Sequence, residues 1–367
     1  MRNGQSPRSH ECHRPRVDTD LRSASLSPAT MRAERRAVID VGWRMNRTRT
    51  LEKAVKRVRS GPQALPAHLE GAYHTQWQRY RKALKRCRRK FSEDSVHKLR
   101  VETRRLLALL DLVHTLWWEE PLAQLQRRLK RLFKSFSQLR DTQVQLLFVQ
   151  EVLERFPELA RFDRTLAQRK RQLTARVARR VEGFDLNKLS RLATRVEKTL
   201  AARRRDHVHH DSDWILLRQS VDQAFVRAVR LRSNVDPNDS STIHRVRVAF
   251  KKYRYLVELL QPLLPGVTAR TIEAMHDYQT LMGEIQDIEI LQATFDKFAA
   301  KKKSRAAKLL GFRGYLATRR EAVLARYLSR AGRLNKLAPP AAPAPADGAQ
   351  PVLQSGDARM APARSRG

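Results

Sequence analysis

Apolar residues recur at three- and four-residue intervals from Ala67 to about Leu334, the spacing of helices that bury one face. The pattern predicts helices over 66–91, 93–117, 121–155, 158–182, 186–205, 212–233, 240–263, 268–302 and 305–333. Pro157, Pro237, Pro262 and Pro265 fall at breaks, where a missing N–H and a ring clash stop a helix. No alternating run bounded by turn residues predicts a sheet. Several predicted helices are longer than the usual ~10–14 residues, and the expected class is all-α, a helical bundle. Residues 1–62 are polar, Arg-rich and aperiodic, and read as a disordered tail. Residues 336–367, with Pro339-Pro-Ala-Ala-Pro-Ala-Pro345, read as a second flexible tail. The folded domain is expected over 63–335.

Within that domain one stretch occurs twice. Ser95–Val113 contains His97, Lys98, Arg100, Arg104 and Arg105, and Ser241–Leu260 contains His244, Arg245, Arg247, Lys251 and Lys252 at matching positions and one constant offset. Five basic or His matches in register indicate an internal duplication, with halves of about 63–205 and 206–335. At about 100° per residue, His97, Arg100 and Arg104 lie within roughly 60° of one another. Leu99, Leu106, Leu110 and Val113 gather on the other side; His244, Arg247 and Lys251 stand likewise against Val246, Tyr253, Val257 and Leu260. Such a face lacks the interleaved acids of a solvated helix: Glu102 is the only carboxylate from His97 to Arg105.

Capping residues precede each copy, Ser92, Asp94 and Ser95 in one and Asp239, Ser240 and Ser241 in the other. Each His therefore stands near a helix start, where free N–H groups and the positive dipole end favour anions. Arg forks onto phosphate oxygens and Lys acts as a point charge. Anion binding explains the crowded like charges better than the competing reading, a pair of basic surface helices whose His residues cap and pack.

A second match follows. Leu129–Val144 aligns with Met275–Ile290, setting Asp141 on Asp287 and Lys130 on His276, one residue shorter in offset. Lys130, Lys134, Ser137 and Asp141 fall on or near one side. Small Ser137 and Gly283 are expected to admit a neighbouring helix, and Asp141 and Asp287 to hold basic side chains by ion pairs rather than to catalyse.

Charge sharpens this picture. Lys and Arg number 75 against 37 Asp and Glu, a formal net charge of +38, which calls for an acidic partner. Only Cys12 and Cys87 are present, so neither a disulfide framework nor a paired-Cys metal site is expected, as suits a reducing cytoplasm. The N-terminus lacks the apolar core of a secretory signal, and Met31 and Met45 are alternative starts. No stretch is apolar enough to span a bilayer, and no membrane partner is expected. His10, Cys12 and His13 read as tail residues. His207, His209, His210, Asp211 and Asp213 read as a solvated connection and cap rather than a zinc site. Trp117 and Trp118 read as bundle-end packing. No metal or cofactor is expected.

The motifs His97-x-x-Arg100-Val-x-x-Arg104-Arg105, Leu139-Arg140-Asp141, His244-x-x-Arg247-x-x-x-Lys251-Lys252-x-Arg254-Tyr255 and Gly283-Glu-Ile-Gln-Asp287 resemble, in order, those of the CHAD family, the conserved histidine α-helical domain. The resemblance covers roughly residues 63–333. It implies two pseudo-symmetric helical bundles with a basic central groove or channel, and binding of inorganic polyphosphate at bacterial polyphosphate granules. The implied binding positions are His97, Arg100, Arg104, Arg105, Lys130, Arg140, His244, Arg247, Lys251, Lys252, Arg254 and, by position, His276. Lys98, Lys134 and Arg245 join them as neighbouring cations. Gln286 stands where the first half has Arg140, and His276 where Lys is common, so weaker binding is expected of the second half. No Glu-x-Glu-x-Lys strand of the CYTH triphosphate barrel is present, which suggests a standalone CHAD protein, and the basic faces lack the clustered carboxylates of metal-assisted hydrolysis. The expectation is a non-enzymatic binder, together with granule-associated proteins as partners. A basic nucleic-acid or chromatin protein is the alternative, although no zinc finger, basic zipper or stacking aromatics support sequence-specific contact. A polyphosphate-dependent enzyme is the third class.

Overall fold

The computed structural model describes residues 64–206, 209–301 and 307–340. The expected tails outside 336–340, the His10, Cys12 and His13 group, and His207 lie outside the described residues. The chain divides into units Met1–Leu51 and Glu52–Gly367, and every described residue belongs to the second.

Among the described residues all regular structure is helical. In chain order the α-helices are α1 Leu65–Arg89, α2 Glu93–Leu116, α3 Glu120–Ser135, α4 Ser137–Val152, α5 Ala160–Glu182, α6 Leu186–Arg205, α7 His210–Ser233, α8 Ser240–Leu260, α9 Ala269–Ala299 and α10 Leu310–Leu328. Short 3₁₀ turns occupy Pro157–Leu159, Gln261–Leu263 and Ala331–Leu337. The helix expected over 121–155 is broken at Phe136, whose N–H bonds back to Phe133 O at 3.2 Å. Its buried ring is held in the core, so packing sets this break without Pro or Gly. The ordered chain also runs past the boundary expected at 335. Leu337 is buried, Tyr253 Oη donates to Leu337 O at 2.6 Å, and Arg218 Nη2 donates to Pro340 O at 2.6 Å. Gly266, at φ 84°, makes the turn before α9 with its Cα edge facing Pro340.

The apolar interior is continuous across the two halves. The larger apolar cluster takes Leu69, Leu84 and Leu106 from the first half and Leu217, Phe250 and Tyr327 from the second. A smaller cluster joins Val149, Phe162 and Leu166 to Phe295, Phe312 and Leu316. Polar bonds cross as well: Gln145 Nε2 donates to Ile290 O at 3.1 Å and to Thr294 Oγ1 at 2.9 Å.

A candidate polyanion site

The N-termini of the two repeat helices are fixed by capping. On α2, Ser92 Oγ accepts from Ser95 N at 3.2 Å, and Ser95 Oγ accepts from Ser92 N at 2.9 Å, a reciprocal box that starts the helix just before His97. On α8, Asp239 accepts from Ser241 N at 2.9 Å. From these starts the helical period carries His97, Arg100 and Arg104 down one side of α2, and His244, Arg247 and Lys251 down one side of α8.

Those two sides meet. Lys251 feels the charges of Arg104 and Arg100 across the junction as well as those of Arg247 and Arg254 on its own helix. Burial first, then these four cations, push its ammonium down to about 7. Arg247 is depressed by burial, with Asp287 opposing and Arg104 adding to the fall. Arg100 is brought down to about 10 by burial, then by Arg104 and Arg140, against the pull of Asp141. His97 lies below the usual histidine value, mainly through loss of solvent, then through Arg140, Arg104 and Arg100; Asp94 opposes. Three buried guanidinium nitrogens, Arg100 Nη1, Arg104 Nε and Arg247 Nε, have no hydrogen-bond partner among the described residues. Guanidinium N–H groups removed from water without an acceptor are costly, so they are held where an acceptor oxygen would be well received.

Aromatic rings support the cations from below. Arg100 and Arg104 both lie over Phe133, at 5.1 and 5.7 Å from its centroid. Tyr255 carries Lys251 at 5.9 Å and Arg254 at 4.4 Å. The acids stand at the margin: Asp141 is within electrostatic reach of Arg100 and Arg140, and burial raises its carboxyl above the ordinary value. Gly283 does not admit a helix backbone. A Cβ there would instead meet Arg247 Nε at 3.9 Å, so its smallness leaves room for that guanidinium.

The structure thus brings together His97, Arg100, Arg104, Arg140, Arg247 and Lys251. His244 stands on the same side of α8 and contacts Gln286 through Nδ1, so the Gln found in place of Arg orients a ring. Other expected positions lie elsewhere. Lys98, Arg245 and Lys252 are exposed on different sides of their helices, with Arg245 close to Asp239. Arg105 pairs with Glu102 at 3.4 Å and Lys130 with Asp111 at 3.0 Å. Lys134 is exposed and makes no ion pair among the described residues. Arg254 is buried and tied to Glu258, to Gln279 Oε1 at 3.0 Å and to His276 Nε2 at 2.9 Å; His276 also meets Glu258 at 2.9 Å. That network supports Tyr255 rather than offering free donors. Sequence reasoning missed Phe133, Glu258 and Arg169, the last an electrostatic neighbour of Asp141. Glu258 was findable, standing one helical turn after Arg254. Between the halves, Asp213 accepts the Trp117 indole N–H at 3.0 Å, whereas Trp118 is 66% exposed. No described helix is long and apolar enough to cross a membrane.

Fold and site define an all-helical protein whose two like-patterned helices turn a shared cationic cluster toward each other. A family model described as "CHAD domain" matches residues 74–296, more than half of the sequence, and the chain belongs to the CHAD family. The crystal structure of the CHAD domain from the plant Ricinus communis is similar in fold: TM-score 0.60, 19% identity, covering 77% of this chain and 96% of that one. No curated protein matches the chain.

Proposed function

We propose that the chain binds inorganic polyphosphate, without turning it over, in the cluster formed by Arg100, Arg104, Arg140, Arg247 and Lys251, and that it associates through this polymer with polyphosphate granules. The observation that carries the reading is the convergence of both repeat helices on one cationic junction whose buried Arg100, Arg104 and Arg247 nitrogens lack acceptors. A linear phosphate chain supplies acceptor oxygens at every unit and enough charge to offset several crowded cations at once. Arg100, Arg104 and Arg247 donate N–H groups in fixed forks, while Lys251 contributes a point charge. Affinity is then largely electrostatic and falls steeply with salt, as counterions released from the polymer are taken up again.

The fourfold variant Arg100→Ala, Arg104→Ala, Arg247→Ala and Lys251→Ala is expected to lose the central site's share of polyphosphate retention, so that polymer elutes at clearly lower salt, while keeping the helical circular-dichroism spectrum. Unchanged retention overturns the site. Displacement of long-chain polyphosphate by duplex DNA at equal phosphate concentration would favour a nucleic-acid binder instead. Incubation with Mg²⁺ or Mn²⁺ is expected to release no phosphate from the polymer, and release would make the protein an enzyme.

A further inference from the structure

The central cluster accounts for few of the chain's surplus cations. From Gly71 to Ser92 the sequence contains no Asp or Glu, and from Arg79 to Lys90 it has eight Lys or Arg. The apolar positions of α1, among them Tyr73, Trp77, Tyr80, Leu84 and Cys87, are buried. Arg79, Lys82, Arg86 and Arg89 therefore line the opposite side within roughly 80° of one another, a row of about 15 Å at 1.5 Å per residue. All four are exposed. Arg86 pairs with Asp94 at 2.7 Å, while Arg79, Lys82, Lys85 and Arg89 make no ion pair among the described residues.

Helix α6 extends this surface. Arg204 meets Glu70 at 3.1 Å, His74 meets Glu197 at 2.7 Å, and Arg88 donates to Phe184 O, so α1 and α6 run antiparallel. The first turns of α6, with Lys188, Arg191 and Arg195 exposed, then lie alongside the basic end of α1. Most of this surface stands on the far side of α2 from Arg100, while its Arg86 end meets Asp94, an electrostatic neighbour of His97. Helix α1 packs on α2 through Gln76 Nε2, which donates to Glu102 Oε2 at 2.7 Å, and Glu102 stands about 200° around α2 from Arg100. Helix α2 thus lies between the Arg79 and Lys82 part of the row and the Arg100 side of the inner cluster.

We infer that the outer faces of α1 and α6 form a second, independent polyanion-binding surface that holds a second polyphosphate chain, so that one protein molecule joins two chains. The inference rests on the proposed central site. Like charges this dense on one surface repel in the free protein and are relieved by a partner of matching charge density. The aromatic rings of α1 are turned inward, leaving nothing to stack on bases, so the surface reads charge alone. Two separated sites give a cross-linker, and a cross-linked polymer gains avidity and condenses.

The test uses full-length protein, short-chain polyphosphate for stoichiometry by calorimetry, and long-chain polyphosphate for light scattering. The outer variant carries Arg79→Gln, Lys82→Gln, Lys85→Gln, Arg89→Gln and Arg191→Gln; Arg86 and Arg88 are kept because they hold Asp94 and the end of α5. Glutamine preserves helix propensity, and a thermal melt checks the fold. Wild type is expected to bind two short chains and to scatter strongly with long ones. The outer variant should bind one, with scattering reduced about tenfold or more. The central fourfold variant should likewise bind one and fail to cross-link. Wild-type stoichiometry and scattering in the outer variant would overturn the second surface while leaving the central site standing. So would loss of duplex-DNA retention with polyphosphate cross-linking intact, which would assign the surface to nucleic acid. No polyphosphate binding by wild type would overturn both sites together.

Discussion

Lys251 is the residue where fold and ligand pull in opposite directions. Burial and four surrounding cations hold its ammonium at about 7, far below an ordinary lysine. In the free protein the folded state therefore disfavours the charged form, and the unfolded chain binds the extra proton. Stability is lowest below about pH 7 on this account and rises as pH climbs from there toward the ordinary lysine value. A bound polyanion reverses the balance by restoring the proton, so polyphosphate affinity should weaken as pH rises through neutrality. Lys251→Met is expected to raise the melting temperature below neutral pH, weaken binding and flatten its pH dependence near neutrality; His97 would leave a residual slope on the acid side. Melting curves and binding isotherms across pH measure both, and a wild-type affinity that grows with pH would reject the coupling. The positions of the cations on one helix side were legible because the 3.6-residue period alone places them. Their unequal roles were not: Arg254 shares the basic pattern of its neighbours, but Glu258 and Gln279 occupy its donors. Phe133 was invisible because its use depends on where α3 crosses α2.

At the scale of elements, helix starts were the most readable feature, since Ser, Thr and Asp caps act through local hydrogen bonds. The start of α2 has a functional load, because its first turn sets the register of His97 and Arg100. Ser92→Ala removes the acceptor for Ser95 N and is expected to cost about 1 kcal/mol. For a domain of this size that is a drop of a few degrees in melting temperature. Polyphosphate affinity should change less than in Arg100→Ala, since Ser95 still anchors the turn by donating to Lys90 O at 2.8 Å. A binding loss as large as that of Arg100→Ala would mean that the cap positions the ligand directly. The break at Phe136 shows the reverse case. Nothing in the local sequence marks it, because the interruption follows from seating a buried Phe while α3 and α4 each satisfy a different neighbour.

At the scale of the whole molecule, repetition in sequence does not say how far the halves depend on each other. Two matching halves suggest two bundles, each with its own apolar interior. Both apolar clusters also join the halves, and a domain stabilised by only ~5–15 kcal/mol has little margin for losing a shared interior. The first half alone would expose Val149, Phe162 and Leu166, stripped of Phe295, Phe312 and Leu316, and would leave Gln145 without its partners on α9. It would also present Arg100 and Arg104 to solvent with no facing helix. Residues 63–205 expressed alone are therefore expected to lack a cooperative thermal transition and to aggregate, and mixing with 206–340 should restore both a sharp melt and polyphosphate retention. A separated half that carries the outer substitutions on α1 and α6, melts cooperatively and still retains polyphosphate at full affinity would show that the junction between halves is dispensable. The cationic site would then belong to a single helix face, and the meeting of Lys251 with Arg100 and Arg104 would be a by-product of packing.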